Sequence, residues 1–282
     1  MATLLKGAPA AKALTEQLQK ETEAMRTMGI SPCLAIVRVG AREDDLSYER
    51  GAMKRCEKVG IAVRQVILPD SVTQTKLLEE IEKLNRDPAV HGVLMFRPLP
   101  KTIDEQAVCE ALLPSKDMDG ITSGSLAAVY AGTKRGYPPC TAEACIQLLK
   151  HFQIPIAGKR AVVIGRSLVI GKPVAMLLLA ENATVTVCHS KSQNLREICR
   201  EADILVIAAG KAGMVGAESL RPGQIVLDVG IHAGADGTLC GDVRFAEAEP
   251  VVEAITPVPG GVGAVTTAIL ARHVVTAAEA QH

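Results

Sequence analysis

Residues 160–190 read RAVVIGRSLVIGKPVAMLLLAENATVTVCHS. RAVVIG (160–165) is apolar, β-branched and closed by glycine, which marks a buried strand. GKPVAMLLLAEN (171–182) has the length and composition of a helix, and ATVTVCHS (183–190) reads as a second strand. Strand, helix and strand in that order predict a parallel βαβ unit. The pattern continues downstream with a helix at NLREICREA (194–202) and strands at DILVIAAG (203–210) and GQIVLDVGI (223–231). Upstream it has already run once. Leu14, Leu18 and Met25 share one face of a helix over 9–28, followed by strands at 33–40, 61–68 and 90–96. Helices over about 45–59 and 72–87 separate those strands. The expectation is an α/β chain of two domains, each with a parallel sheet. The boundary falls near 140–158, and a last helix over 264–280 returns to the first domain.

The composition agrees with buried parallel sheets. Of 282 residues, 48% are hydrophobic but only 2% aromatic, and Trp is absent, so the cores are aliphatic. Lys plus Arg and Asp plus Glu both number 31, leaving no electrostatic argument for nucleic acid or an anionic membrane. No apolar run reaches the length of a membrane span, and the N-terminal apolar stretch before Lys6 is too short for a signal peptide. Eight cysteines stand without a CxxC pair, which predicts reduced thiols, a cytoplasmic setting and no metal site.

The loop GRSLVIGKP joins the first strand of the second domain to its helix. Gly165 and Gly171 permit a tight turn and close backbone approach, and a helix N-terminus offers N–H groups to a phosphate. The spacing is neither G-x-G-x-x-G nor a Walker loop. Read alone, it fits an ordinary connection equally. The next strand sharpens the reading. A fold that takes NAD usually ends this strand in Asp or Glu, which bonds the ribose hydroxyls. Here it ends in CHSKS, with His189, Ser190 and Lys191 as donors and Arg166 in the preceding turn. Donors without an acid favour a 2′-phosphate, hence NADP, with NAD as the alternative.

Taken together, VVIGRSLVIGKPVAMLLL, ATVTVCHSKSQNL, DILVIAAGK, VLDVGI, GDV and TPVPGGVG resemble the methylenetetrahydrofolate dehydrogenase/cyclohydrolase family. PCLAIVRVG, RPLP and SKDMDGIT match its first domain in the same order. The resemblance covers about residues 1–275. It implies a folate-binding domain over 1–145, completed by about 266–282, and a Rossmann-type cofactor domain over 146–265. It also implies a homodimer and an enzyme that oxidises 5,10-methylenetetrahydrofolate. Carried over by position, Tyr48 and Asp119 are the catalytic candidates. Tyr48, Pro98, Asp119, Gly260 and Gly261 are expected at the tetrahydrofolate substrate. Gly165, Arg166, Ser167, Gly171, Ser190 and Ile231 are expected at the cofactor. A carboxylate can accept two pterin N–H groups, and Gly120 permits a turn that presents Asp119. Asp117 is the competitor.

Two positions depart from the family. Its bifunctional members carry Lys four residues after the tyrosine, on the same helix face, and a Gln two residues before the Pro-Leu-Pro run. Here Ala52 and Phe96 replace them. Hydrolysis of the methenyl product needs a water activated and protons moved, whereas hydride transfer chiefly needs alignment. The expectation is therefore a dehydrogenase with weak or absent cyclohydrolase activity. The alternatives are a bifunctional enzyme with a relocated base, for which Lys54, Arg55 and Arg97 are the neighbours to consider, and a non-catalytic folate-binding protein. Ala264 and Val265 also replace family residues, which bears on the choice between NADP and NAD.

Overall fold

The computed structural model describes residues 1–234 and 237–281. In chain order the first half contains β1 (Thr3–Leu4), α1 (Gly7–Thr27), β2 (Cys33–Val39), α2 (Glu43–Val59), β3 (Ala62–Leu68), α3 (Gln74–Arg86) and β4 (Gly92–Met95). Then come α4 (Glu105–Ala111), α5 (Ser123–Ala131), α6 (Cys140–His151), β5 (Arg160–Ile164), α7 (Gly171–Ala180), β6 (Thr184–Cys188) and α8 (Leu195–Glu201). The last are β7 (Ile204–Ile207), β8 (Ile225–Asp228), β9 (His232–Ala233), β10 (Leu239–Cys240), α9 (Phe245–Ala248), β11 (Ala254–Ile255) and α10 (Thr266–Ala280).

Two compact units result. One comprises Lys12–Cys140 with Thr267–His282, the other Met1–Ala11 with Thr141–Thr266. In the first, three parallel strands lie in the order β3-β2-β4. β2 is central and buried along almost its whole length, which explains its unbroken apolar run. α3 covers the sheet with Leu77, Ile81 and Leu84, spaced for one helix face and all buried. Leu14, Leu18 and Met25 of α1 are likewise buried, and α10 belongs to this unit.

The second unit is a six-stranded parallel sheet in the order β1-β11-β8-β7-β5-β6. The chain runs from β5 outward to β6, then returns past β5 to β7. The crevice beyond the carboxyl ends of β5 and β7 is therefore the topological switch point, where open α/β sheets bind ligands. One feature departs from the expected domain boundaries. The first eleven residues belong to this second unit, because β1 adds an edge strand: Thr3 and Leu4 register with Ala254 and Ile255. Strands of two residues carry too little periodicity to be read from sequence.

Candidate active site

The folate-side candidates of the first unit gather around α2 and the ends of β4. α2 starts with Glu43, Asp44 and Asp45 in its first turn and stops at Gly60, whose φ of 88° closes the helix in the left-handed conformation. Its buried stripe is Asp45, Glu49, Ala52, Cys56 and Val59. Tyr48 sits beside that stripe, half-buried. Phe96, one residue beyond β4, meets it edge to face with ring centroids 6.0 Å apart at 82°. Ala52 has no exposed surface. Thus the position one turn beyond Tyr48 is a covered methyl, and the tyrosine's neighbour is an aromatic ring.

Of the three basic neighbours, Arg55 and Arg97 hold polar partners away from Tyr48, and Lys54 is exposed. Lys54 lines a surface groove with Arg50, Met53, Glu57, Ile61 and Val63. Arg55 donates from Nη1 to Thr15 Oγ1 at 2.5 Å and from Nε to Thr267 Oγ1 at 3.4 Å. Arg97 Nη1 lies 3.7 Å from Glu105 Oε1. Pro98 is exposed, and its carbonyl accepts Arg42 Nη1 at 3.1 Å.

The two candidate carboxylates separate by their partners. Asp117 is fully buried, and its two oxygens accept the N–H groups of Ile121 and Thr122 at 3.0 and 2.8 Å. It caps the turn leading into α5. Asp119 is half-buried, and its Oδ1 accepts the Cys140 N–H at 3.0 Å. Burial pushes its carboxyl up, and the Cys140 bond draws part of that shift back. Gly120 turns the chain at φ 61°, and a Cβ there would stand 2.6 Å from Pro139 N and 2.7 Å from Tyr137 O. A glycine is required at that turn on both counts.

The cofactor-side candidates lie in the second unit. Gly165 ends β5 at φ 127°, and a Cβ would stand 2.2 Å from the Ala208 carbonyl at the end of β7. At Gly171 a Cβ would be 2.3 Å from the Gly165 carbonyl. The turn is thus wound tightly across the switch point. One expectation changes here. The first N–H groups of α7 do not stand unpaired: Ser167 Oγ accepts Ile170 N–H at 3.1 Å and Gly171 N–H at 3.4 Å, and Ser167 O accepts Lys172 N–H at 3.0 Å. Ser167 acts as the cap, and its hydroxyl proton remains to donate outward. Arg166, Ser190 and Lys191 are exposed at the same rim. Leu168, Val169 and Ile231 are exposed apolar side chains, 55%, 41% and 64% accessible. A cradle without side chains, an apolar rim and donors lacking an adjacent acid fit a dinucleotide with a 2′-phosphate.

Two features of this unit were not legible beforehand. Asp242 is buried and gathers Ala209 and Gly210 N–H on Oδ2 at 2.6 and 3.0 Å, and Lys211 N–H on Oδ1 at 2.8 Å. His232 Nε2 lies 2.7 Å from Oδ1. Asp228, at the end of β8, accepts Gly230, Asp242 and Val243 N–H. Burial, aided by the Asp242 charge, raises its pKa to about 6. These carboxylates, which stand in the VLDVGI and GDV stretches, hold the loops after β7 and β8 by backbone bonds that the sequence alone does not reveal. The second feature is Gly7. Its N–H donates to the Gly260 carbonyl at 2.8 Å, and a Cβ would stand 2.2 Å from Gly261 O, 2.9 Å from Ala264 Cβ and 3.0 Å from Val265 Cγ2. Gly260 itself has φ 99° and open space where a Cβ would be. Ala264 and Val265 therefore pack the support of the TPVPGGVG loop.

The model of the tetrahydrofolate dehydrogenase/cyclohydrolase catalytic domain matches residues 5–119, and that of its NAD(P)-binding domain matches residues 139–282. A protein of Carboxydothermus hydrogenoformans named bifunctional protein FolD is 50% identical over 281 residues, covering 99% of this chain and 98% of its own. Among solved structures, the bifunctional FolD enzyme of Campylobacter jejuni superposes with a TM-score of 0.97 at 37% identity, with both chains covered completely. The Trypanosoma brucei dehydrogenase-cyclohydrolase, solved with NADP cofactor and an inhibitor, gives 0.92 at 36% identity, over 99% of this chain and 98% of that one.

Proposed function

Because the chain belongs to the tetrahydrofolate dehydrogenase/cyclohydrolase family, we propose that it oxidises 5,10-methylenetetrahydrofolate with NADP. The observation that carries this reading is the 50% identity to a bifunctional FolD across almost the whole of both chains. NADP, when bound, supplies the hydride acceptor. In this reading the chain's own residues bind and orient. Gly165 and Gly171 let the backbone approach the dinucleotide, and Arg166, Ser190 and Lys191 supply donors for the 2′-phosphate. Leu168, Val169 and Ile231 give apolar surface to a ring. Asp119 offers the folate ring the oxygen that does not accept the Cys140 N–H, while Tyr48 lines that ring. The resemblance also supports a homodimer. Eight free cysteines support a reducing, cytoplasmic setting.

For the second reaction, hydrolysis of the methenyl product, the relatives' names favour the bifunctional reading over the loss expected from Ala52 and Phe96. A group other than the family lysine would then handle the proton. The dehydrogenase-only reading retains one specific support: a covered methyl at Ala52, Arg55 and Arg97 bonded elsewhere, and Lys54 exposed on a surface groove. One experiment separates the two. The methenyl compound absorbs in the near ultraviolet, so its decay can be followed with increasing enzyme. Decay proportional to enzyme, above the buffer rate, establishes the bifunctional reading; decay at the buffer rate establishes dehydrogenase alone. The same assay run with NADP and with NAD tests the cofactor, and a higher kcat/KM for NAD would overturn the NADP assignment.

A further inference from the structure

His273 of α10 is 3% exposed and has no part in the chemistry above. Its Nδ1 lies 2.8 Å from the Met118 carbonyl oxygen. A carbonyl has no proton to give, so the proton of this bond sits on Nδ1. The same oxygen accepts the Cys140 thiol at 3.2 Å. Cys140 in turn gives its backbone N–H to Asp119 Oδ1 at 3.0 Å. The Tyr137 ring packs on the imidazole with centroids 4.9 Å apart and planes at 37°, which holds the ring in place. Tyr137 also supplies the carbonyl that crowds Gly120.

The Met118 carbonyl belongs to the peptide unit that carries the N–H of Asp119. Turning that unit swings the Asp119 side chain about its backbone. We propose that His273 is a positioning residue for Asp119: by pinning the Met118–Asp119 peptide plane it sets the direction in which the carboxylate meets the donor edge of the folate ring. This rests on Asp119 being the folate acceptor. The angular dependence of hydrogen bonds gives the device its value, since they weaken steeply once the donor angle falls below about 120°. Two donors on one carbonyl leave a peptide unit little freedom to turn.

Three substitutions separate donor position from bulk. In His273→Asn the amide nitrogen stands as many bonds from Cα as Nδ1 does. In His273→Gln it stands one bond further, and in His273→Leu no donor remains. Steady-state kinetics with 5,10-methylenetetrahydrofolate, with NADP affinity measured in parallel by calorimetry, should show kcat/KM falling about tenfold in His273→Leu and His273→Gln, mostly as a raised KM. NADP affinity should hold, and His273→Asn should recover most of the loss. Leu or Gln variants as active as the unaltered protein would overturn the proposal, as would an Asn variant as damaged as the Leu one. If the Leu variant does not fold, the Asn and Gln pair decides by the same comparison. An unaltered protein inactive on the folate would refute the activity instead. Calorimetric binding of tetrahydrofolate to the same variants would then decide the role of His273, and absence of folate binding to the unaltered chain would overturn both.

Discussion

Asp119 and Asp117 lie two residues apart in SKDMDGIT, and sequence could rank but not separate them. The difference is in backbone geometry: Asp117 spends both oxygens on Ile121 and Thr122, whereas Asp119 spends one on Cys140. Asp119→Asn tests the assignment better than a truncation. It keeps an oxygen for the Cys140 N–H but turns an amide NH2 group, a donor, toward the donors of the ring. Folate affinity should fall by about 1.5–3 kcal/mol, the worth of a charge-assisted bond, with NADP binding retained. Unchanged folate affinity in calorimetry would move the acceptor elsewhere. Ala52 was legible for the opposite reason, since one missing side chain is visible in a sequence whatever the fold. Its partner in the argument is Phe96, whose ring occupies the space beside Tyr48. Ala52→Lys alone should therefore change enzyme-dependent methenyl decay little, and Ala52→Lys with Phe96→Gln should raise it by more than the two single effects combined. Full hydrolysis from Ala52→Lys alone would dismiss the role given to position 96.

The turn from β5 to α7 shows what an element-level reading can and cannot supply. The glycines were legible as punctuation, and the strand and helix on either side fall where the apolar runs place them. Which donors the turn leaves open was not legible, because Ser167 folds back onto the helix and uses N–H groups that a bare helix start would offer. The short helices α4 and α5 and the strands β1 and β11 left no readable period for the same physical reason: an element of a few residues is specified by its neighbours. Gly165→Ala tests the turn directly. It would force a side chain into positive φ and against the Ala208 carbonyl, at a cost of roughly 1–3 kcal/mol from the backbone strain alone. The expected result is a lower melting temperature together with loss of NADP binding in calorimetry. Normal NADP affinity in a folded variant would remove the turn from the cofactor site.

At the scale of the whole molecule, buried carboxylates couple the fold to pH. Asp228 ionises at about 6 in the folded chain, above its ordinary 3.8. The folded state thus holds this proton more tightly than the unfolded state. Its contribution to stability is complete below about pH 4 and is lost as pH rises through 6. At about 1.4 kcal/mol per pH unit, the whole effect is about 3 kcal/mol. Urea unfolding of the wild type and of Asp228→Asn should therefore diverge by up to that amount as pH falls from 7 to 4, and a constant gap would refute the assignment. The two-unit architecture was legible as a repeated strand–helix alternation. The placement of residues 1–11 was not, since nothing local joins them to β11. That pairing has a consequence for how the protein is made. Thr3 leaves the ribosome roughly 250 residues before Ala254, its neighbour in the sheet. At about 5–20 residues per second the opening strand waits some tens of seconds for its partner. During that interval the nascent chain carries an unclaimed edge, and the Gly7 prop must stand ready before the loop it supports exists.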